Sequence, residues 1–338
     1  MKSAWFVSPD FLDRIAEPSS RFHSDYLAYR RREITRAELI ARLPHVAMLG
    51  DSACLNIYVS SAWSTVWRRH MRRGGNWFLH RELTPGICSI SKELDAITPL
   101  VAVECARVGA ASGSSAWPTK SLSPCVEARN LSGQISEVLR ARRFPDLILI
   151  CIGHNNVDWA WRCPPHEVSS PEERLKRKSK EFRENYAREL RRLLFSERIQ
   201  QHPVAIVIFG LIDFESYFKA REAAERLRES DKMLYPHLET TYKYFVSFRP
   251  TYRHNLIRLA RMANEELRAM IEGLKRDVVP HAAQIQLRYS DALATADFSR
   301  AELLHPIDGW HASVEGHNIL AKAACRDLKR SLGFLRIQ

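Results

Sequence analysis

The sequence predicts an α/β protein, a three-layer α/β/α sandwich around a five-stranded parallel sheet. Three observations predict it. Five short apolar runs read as strands, and most are rich in Val, Ile and Leu without polar alternation, as in strands buried on both faces. Segments with helical periodicity separate these runs, and such alternation implies βαβ units with helices on both faces of the sheet. Three runs stop at glycine (Gly50, Gly153, Gly210) and a fourth leads directly into Gly109.

Taken in order, residues 1–40 read as a helical, peripheral N-terminal extension and residues 41–338 as the main domain. The first strand is 45–50, His-Val-Ala-Met-Leu-Gly. Residues 53–99, with several aromatic and basic residues, read as an insertion of helix plus loop. The second strand spans 100–108 and the third 146–153. Leu175, Phe182, Tyr186, Leu190 and Leu194 then recur at near seven-and-four spacing, one apolar stripe of a helix. The fourth strand is 203–210. Residues 211–250 read as a second insertion, a charged helix at about 215–232 followed by Tyr235-Pro236 and Tyr242-Lys243-Tyr244-Phe245. Either insertion could supply a lobe or lid near a substrate mouth. Tyr252, Leu256, Leu259, Ala263, Leu267 and Ile271 mark another helix, and 282–288 the fifth strand. The last helix starts after Ser313, an N-cap candidate, and carries Ile319, Leu320, Ala323, Ala324 and Leu328 on one stripe.

A chain of 338 residues holds one large α/β domain, or a core domain with a substantial insertion. No run approaches the ~18 uninterrupted apolar residues of a membrane span. The first ten residues hold too short an apolar stretch for a secretory signal, so a cytoplasmic protein is expected. Seven scattered cysteines, an odd number without a Cys-x-x-Cys pair, argue against a disulfide framework or a zinc ribbon. Cys105 and Cys151 read as small core hydrophobes. His154, His166, His305 and His317 show no metal-ligand spacing, so no metal is expected.

The net charge is +12, with basic clusters at Arg68–Arg73, Arg140–Arg143 and Arg174–Lys178. Such clusters could give weak attraction to an anionic surface or an acidic substrate. The 39 interleaved acidic residues make solvated helix faces the plainer reading. No nucleic-acid-binding motif occurs, so nucleic acid is not an expected partner.

Gly50-Asp51-Ser52 closes the first strand, and a serine just past a strand end sits where open α/β sheets carry their chemistry. Gly109 follows the second strand, Gly153-His154-Asn155-Asn156 closes the third, and Asp308-Gly309-Trp310-His311 precedes the last helix. Ser, His and Asp are the parts of a hydrolytic triad: the hydroxyl needs a base, and the base needs an orienting carboxylate. In this order the four blocks resemble the SGNH (GDSL-type) hydrolase superfamily, over about residues 45 to 325. The resemblance implies a flavodoxin-like sheet and a serine ester hydrolase that needs no cofactor. Ser52 would be the nucleophile, His311 the base and Asp308 its orienting partner. The oxyanion hole would comprise the backbone N–H groups of Ser52 and Gly109 and the side-chain amide of Asn155. The implied substrate is a carboxylic ester: a lipid, a short acyl ester or an O-acetylated sugar. An acyltransferase using the same acyl-enzyme, or a catalytically silent binding protein of the same fold, would carry the same blocks.

The chain departs from the family pattern at three places. Ala53 stands where Leu is usual, and Asn156 where a supporting Asp is usual. Gly113 competes with Gly109, which is preferred because it follows the strand and precedes Ala-Ala-Ser. Taken singly, Ser52 or Asp51 could cap a helix and Asn155 could be a turn residue. Trp159, Trp161 and Trp310 read either as the lining of an apolar or sugar-stacking pocket or as core aromatics. The Gly-x-Ser-x-Gly elbow of ordinary α/β-hydrolases is absent.

Overall fold

In the computed structural model, residues 4–54, 78, 86–107, 109–113, 130–161, 169–239, 249–278, 284–307 and 309–336 are described. Six strands form one sheet: β1 (Ala4–Val7), β2 (His45–Gly50), β3 (Val101–Glu104), β4 (Leu147–Cys151), β5 (Val204–Phe209) and β6 (Ile285–Ser290). Every residue of β4 and β5 is buried, as expected of strands covered on both faces.

The strand order is β1-β3-β2-β4-β5-β6, and every pairing is parallel except that of β1 with β3. The sheet therefore has one strand more than expected. It comes from the N-terminal segment, where Ala4–Val7 is too short to show a period and runs antiparallel along the edge of β3. Three short helices follow it: α1 (Phe11–Ala16), α2 (His23–Arg30) and α3 (Arg36–Arg42). Phe11, Ile15, Phe22, Leu39 and Leu43 from this region pack with Val101 of β3 in a small second core.

The remaining helices that position the site are α4 (Ile90–Ile97), α5 (Leu131–Leu139), α6 (His154–Trp159), α7 (Pro171–Leu194), α8 (Phe214–Ser230), α9 (Pro250–Val278) and α10 (Val314–Leu335). α5, α7 and α9 pack side by side in one layer, and α10 packs on β5 and β6 and against α4 in the other. The layers are thus α/β/α. The stripe expected on α7 is its buried face: Leu175, Phe182, Tyr186, Leu190 and Leu194 are all 3% exposed or less. Among the described residues no helix is long and apolar enough to cross a membrane.

Without the edge strand, the order is that of a flavodoxin-like sheet. The chain steps from β2 to β3 on one side, then crosses back over β2 and runs outward through β4, β5 and β6. The direction reverses between β2 and β4. Their carboxyl ends flank the crevice where such sheets place ligands.

β3 is shorter than the apolar run 100–108. After Glu104 the backbone still bonds to β2, Cys105 N to Met48 O at 2.8 Å and Arg107 N to Gly50 O at 3.0 Å. The chain then leaves the sheet, so Gly109 stands in a turn five residues beyond the strand instead of directly after it.

Candidate active site

At the end of β2 the chain enters a single 3-10 turn, Ser52–Cys54. Asp51 builds that turn: its Oδ1 accepts from Ala53 N at 2.9 Å. Its Oδ2 accepts from Gly153 N and His154 N, each at 3.0 Å, and faces His154 Nδ1 at 3.0 Å. One fully buried carboxylate thus staples the end of β2 to the start of α6, where backbone N–H groups and helix polarity favour negative charge. Burial works against the Asp51 charge, yet His154 and the surrounding N–H donors hold its carboxyl below the usual carboxylate value. Burial likewise works against a charged His154, and Asp51 overrides it, pulling the imidazole up to about 9.

The next block closes the opposite wall. The Asn155 side chain is buried and donates from Nδ2 to Ala110 O at 2.8 Å. Asn156 Oδ1 accepts from Ser112 N at 2.9 Å, and its Nδ2 donates to Ser112 Oγ at 3.0 Å. Both asparagines therefore hold the 109–113 turn. An amide carries a donor and an acceptor, and Asn156 uses both on Ser112. Gly109 has φ +71°, a left-handed conformation that glycine adopts without penalty. Gly113 is packed differently: a Cβ there would lie 2.2 Å from Asn185 Nδ2.

His311 comes from a loop folded back on itself ahead of α10. His305 N donates to His311 O at 2.7 Å, Gly309 N to His305 O at 2.9 Å, and Leu304 and Ala312 form an antiparallel bridge. Gly309, at φ +57°, makes the reversal. Its carbonyl accepts from Tyr217 Oη at 3.0 Å and from the fully buried Arg221 guanidinium at 3.3 Å, both on α8. Arg221 also donates to Leu238 O at 3.0 Å, while Tyr235 N and His237 N donate to Pro306 O and Ile307 O at 2.8 and 3.0 Å. The part of segment 211–250 that lies at 211–239 thus braces the His311 loop.

From His311 back to the nucleophile turn the path runs through rings. His311 and Trp310 centroids are 6.1 Å apart, Trp310 and Phe214 6.3 Å, and Phe214 and His154 6.2 Å. Hydrogen bonds join the turns of Ser52, Gly109 and Asn155, and ring packing links the His311 loop to His154. Asp308 lies outside the described residues.

His317, on α10, is buried, and its imidazole is pushed down to about 3, by burial first and then by His311 and His305. It stays neutral beside His311. Trp161 is a core aromatic, 3% exposed and stacked on Tyr252 at 6.1 Å. Trp310 is half-buried and wedged against Phe214 and Tyr217. The Trp159 side chain and the cluster Arg68–Arg73 fall outside the described residues. Of the other basic clusters, Arg143 pairs with Asp146 and Lys178 with Glu181, each at 2.9 Å, in keeping with paired, solvated charge. Among the described residues no group of three or more His, Cys, Asp or Glu is placed to hold a metal ion.

The sequence reading missed the structural work of His154, Tyr217, Arg221 and Gln134. His154 sat inside a recognised block and could have been flagged by that. Arg221 was one cation among many on a charged helix, and nothing local distinguished it.

No protein-family model matches the chain, and no curated protein matches it. Among solved structures it is similar to the lipase Lip_vut3 from a goat rumen metagenome, 13% identical over 87% of this chain and 100% of that one, with a TM-score of 0.44. An extracellular lipase from Streptomyces rimosus is 14% identical over 85% of this chain and 99% of its own, with a TM-score of 0.44. A carbohydrate esterase with divergent catalytic and non-catalytic binding functions is 12% identical over 86% of this chain and 70% of its own, also at 0.44.

Proposed function

We propose that the chain is a serine ester hydrolase of the SGNH type, acting on a carboxylic ester through an acyl-enzyme. One observation carries the reading. Ser52 and Asn155 stand at the carboxyl ends of β2 and β4, the two strands that flank the switch point, and Asp51 and Asn155 tie those ends to each other and to the Gly109 turn.

In this mechanism Ser52 Oγ attacks the ester carbonyl carbon as His311 takes its proton. Negative charge gathers on the carbonyl oxygen, where the N–H groups of Ser52 and Gly109 and the second amide hydrogen of Asn155 receive it. Collapse expels the alcohol, which takes the proton back from His311. Water, deprotonated by His311, then attacks the acyl carbon; the bond to Ser52 Oγ breaks, Oγ takes the proton back from His311, and the acid is released. Asp308, three residues before His311, is assigned the role of orienting the imidazole. The substrate is a lipid, short acyl or O-acetylated sugar ester; an acyl-chain-length series separates long from short acyl groups, and a series of alcohol moieties separates the sugar esters.

The test is labelling with a fluorophosphonate probe together with hydrolysis of p-nitrophenyl acetate. The native chain should label and turn over, and Ser52→Ala should do neither. A native chain that neither labels nor hydrolyses any ester of the series would overturn the reading.

A further inference from the structure

His154 is a buried histidine that the proposed reaction does not use, and its ring lies among three strand ends. Nδ1 is 3.0 Å from Asp51 Oδ2, just past β2; its own backbone follows β4; Nε2 is 3.4 Å from Ile212 N, just past β5. The Phe214 ring covers it at 6.2 Å, and Asp51 and Cys151 are the titratable neighbours that act on it.

The hydrogen-bonding surroundings decide where the ring proton sits. Asp51 Oδ2 is an acceptor and already receives two backbone N–H groups. A bare Nδ1 would set lone pair against carboxylate, so Nδ1 must carry a proton. On the other side the Ile212 N–H faces Nε2 at 3.4 Å, which can accept from it only in the neutral, Nδ1-protonated ring. Charging the ring adds the second proton at Nε2 and leaves Nδ1–H in place. The Nδ1–H bond to Asp51 is therefore common to both charge states.

We propose that His154 is a positioning residue for the ester hydrolysis assigned above: its Nδ1–H bond to Asp51 fixes the Ser52 turn against the turn that carries Asn155, so that nucleophile and oxyanion donor hold one geometry. The proposal rests on the ester-hydrolase reading. A histidine that only filled space could be replaced by any side chain of similar volume. A positioning histidine needs a donor at the Nδ1 place, which an asparagine amide supplies and a leucine does not.

The experiment compares the full native chain with His154→Leu and His154→Asn. It reads kcat and KM on p-nitrophenyl acetate, thermal midpoints, and the tautomers of the 13 histidines in long-range 1H–15N spectra. Expected are a loss of about tenfold or more in kcat for His154→Leu with KM held within about twofold, and recovery to within about threefold in His154→Asn. The native ring should carry its Nδ1 proton from about pH 5.5 to 8, across the range where an ordinary imidazole titrates. A His154→Leu chain with native kcat, or a native ring protonated at Nε2 alone, overturns the proposal. Should His154→Leu not fold, a folded His154→Asn that loses kcat as severely overturns it as well. If the ester-hydrolase reading itself is wrong, the native chain already shows no turnover and no probe labelling; failure of this proposal alone leaves the native chain active.

Discussion

Gln134 holds the peptide just ahead of the nucleophile turn, and its replacement should be costly. The side chain is fully buried on α5 and bonds both polar groups of Gly50, the last residue of β2. Gly50 N donates to Gln134 Oε1 at 2.7 Å, and Gln134 Nε2 donates to Gly50 O at 2.8 Å. Gln134→Met keeps length and volume and removes both bonds. Gly50 O keeps its bond from Arg107 N at 3.0 Å, so the carbonyl loses one of two donors. The buried Gly50 N–H is left without its acceptor. A stranded donor costs about 1–3 kcal/mol and an ordinary lost bond about 0.5–1.5 kcal/mol, which together give about 1.5–4.5 kcal/mol. Urea unfolding should show a lower midpoint at unchanged slope. A loss below about 0.5 kcal/mol would refute the argument. Gln134→Glu supplies a second arm with a sign of its own. One carboxyl oxygen can still accept from Gly50 N, but the other faces Gly50 O and must carry a proton. The folded-state pKa is then raised above the unfolded value of about 4.3. Relative to the native chain, the stability of this variant should be greatest below that value and fall by about 1.4 kcal/mol per pH unit as pH rises toward the folded pKa. A difference from native that does not change with pH would contradict the geometry.

Three further outcomes follow from the His311 loop and its neighbours. His317 has its folded pKa lowered to about 3 from 6.5, so below pH 6.5 the unfolded chain binds a proton that the folded chain refuses. Stability should therefore fall by about 1.4 kcal/mol per pH unit from this group as pH drops through that window. His317→Asn should flatten the decline in urea titrations at stepped pH; parallel slopes for the two chains would count against it. Gly309→Ala places a Cβ 2.3 Å from Leu238 Cδ1 at a residue with φ +57°. It should cost about 1–3 kcal/mol and reduce kcat with it, and native values of both would show that the loop does not need this reversal. Tyr217→Phe removes one donor from Gly309 O and leaves Arg221. Stability should drop by about 0.5–1.5 kcal/mol, and kcat should fall several-fold at constant KM; a change confined to KM would place Tyr217 at the substrate instead.

The apolar runs made the class of the fold legible, because burial on two faces leaves a mark on every residue of a central strand such as Leu147–Cys151. The stripe from Leu175 to Leu194 was legible for a similar reason: a helix face repeats within seven residues, and repetition is visible without a partner. The blocks around Ser52, Gly109, Asn155 and His311 could be picked out because each sits at a break between elements. Strand β1 could not be seen, since four residues hold no period and its place depends on an edge of β3 a hundred residues away. The supports of the rim were hidden in the same way. Asp51 and His154 are 103 positions apart, Gly50 and Gln134 are 84 apart, and Arg221 reaches Gly309 across 88. A hydrogen bond between distant residues leaves no pattern in either neighbourhood. Local order writes itself into spacing, whereas the partners of a buried carboxylate, amide or guanidinium are chosen only when the sheet brings their elements together.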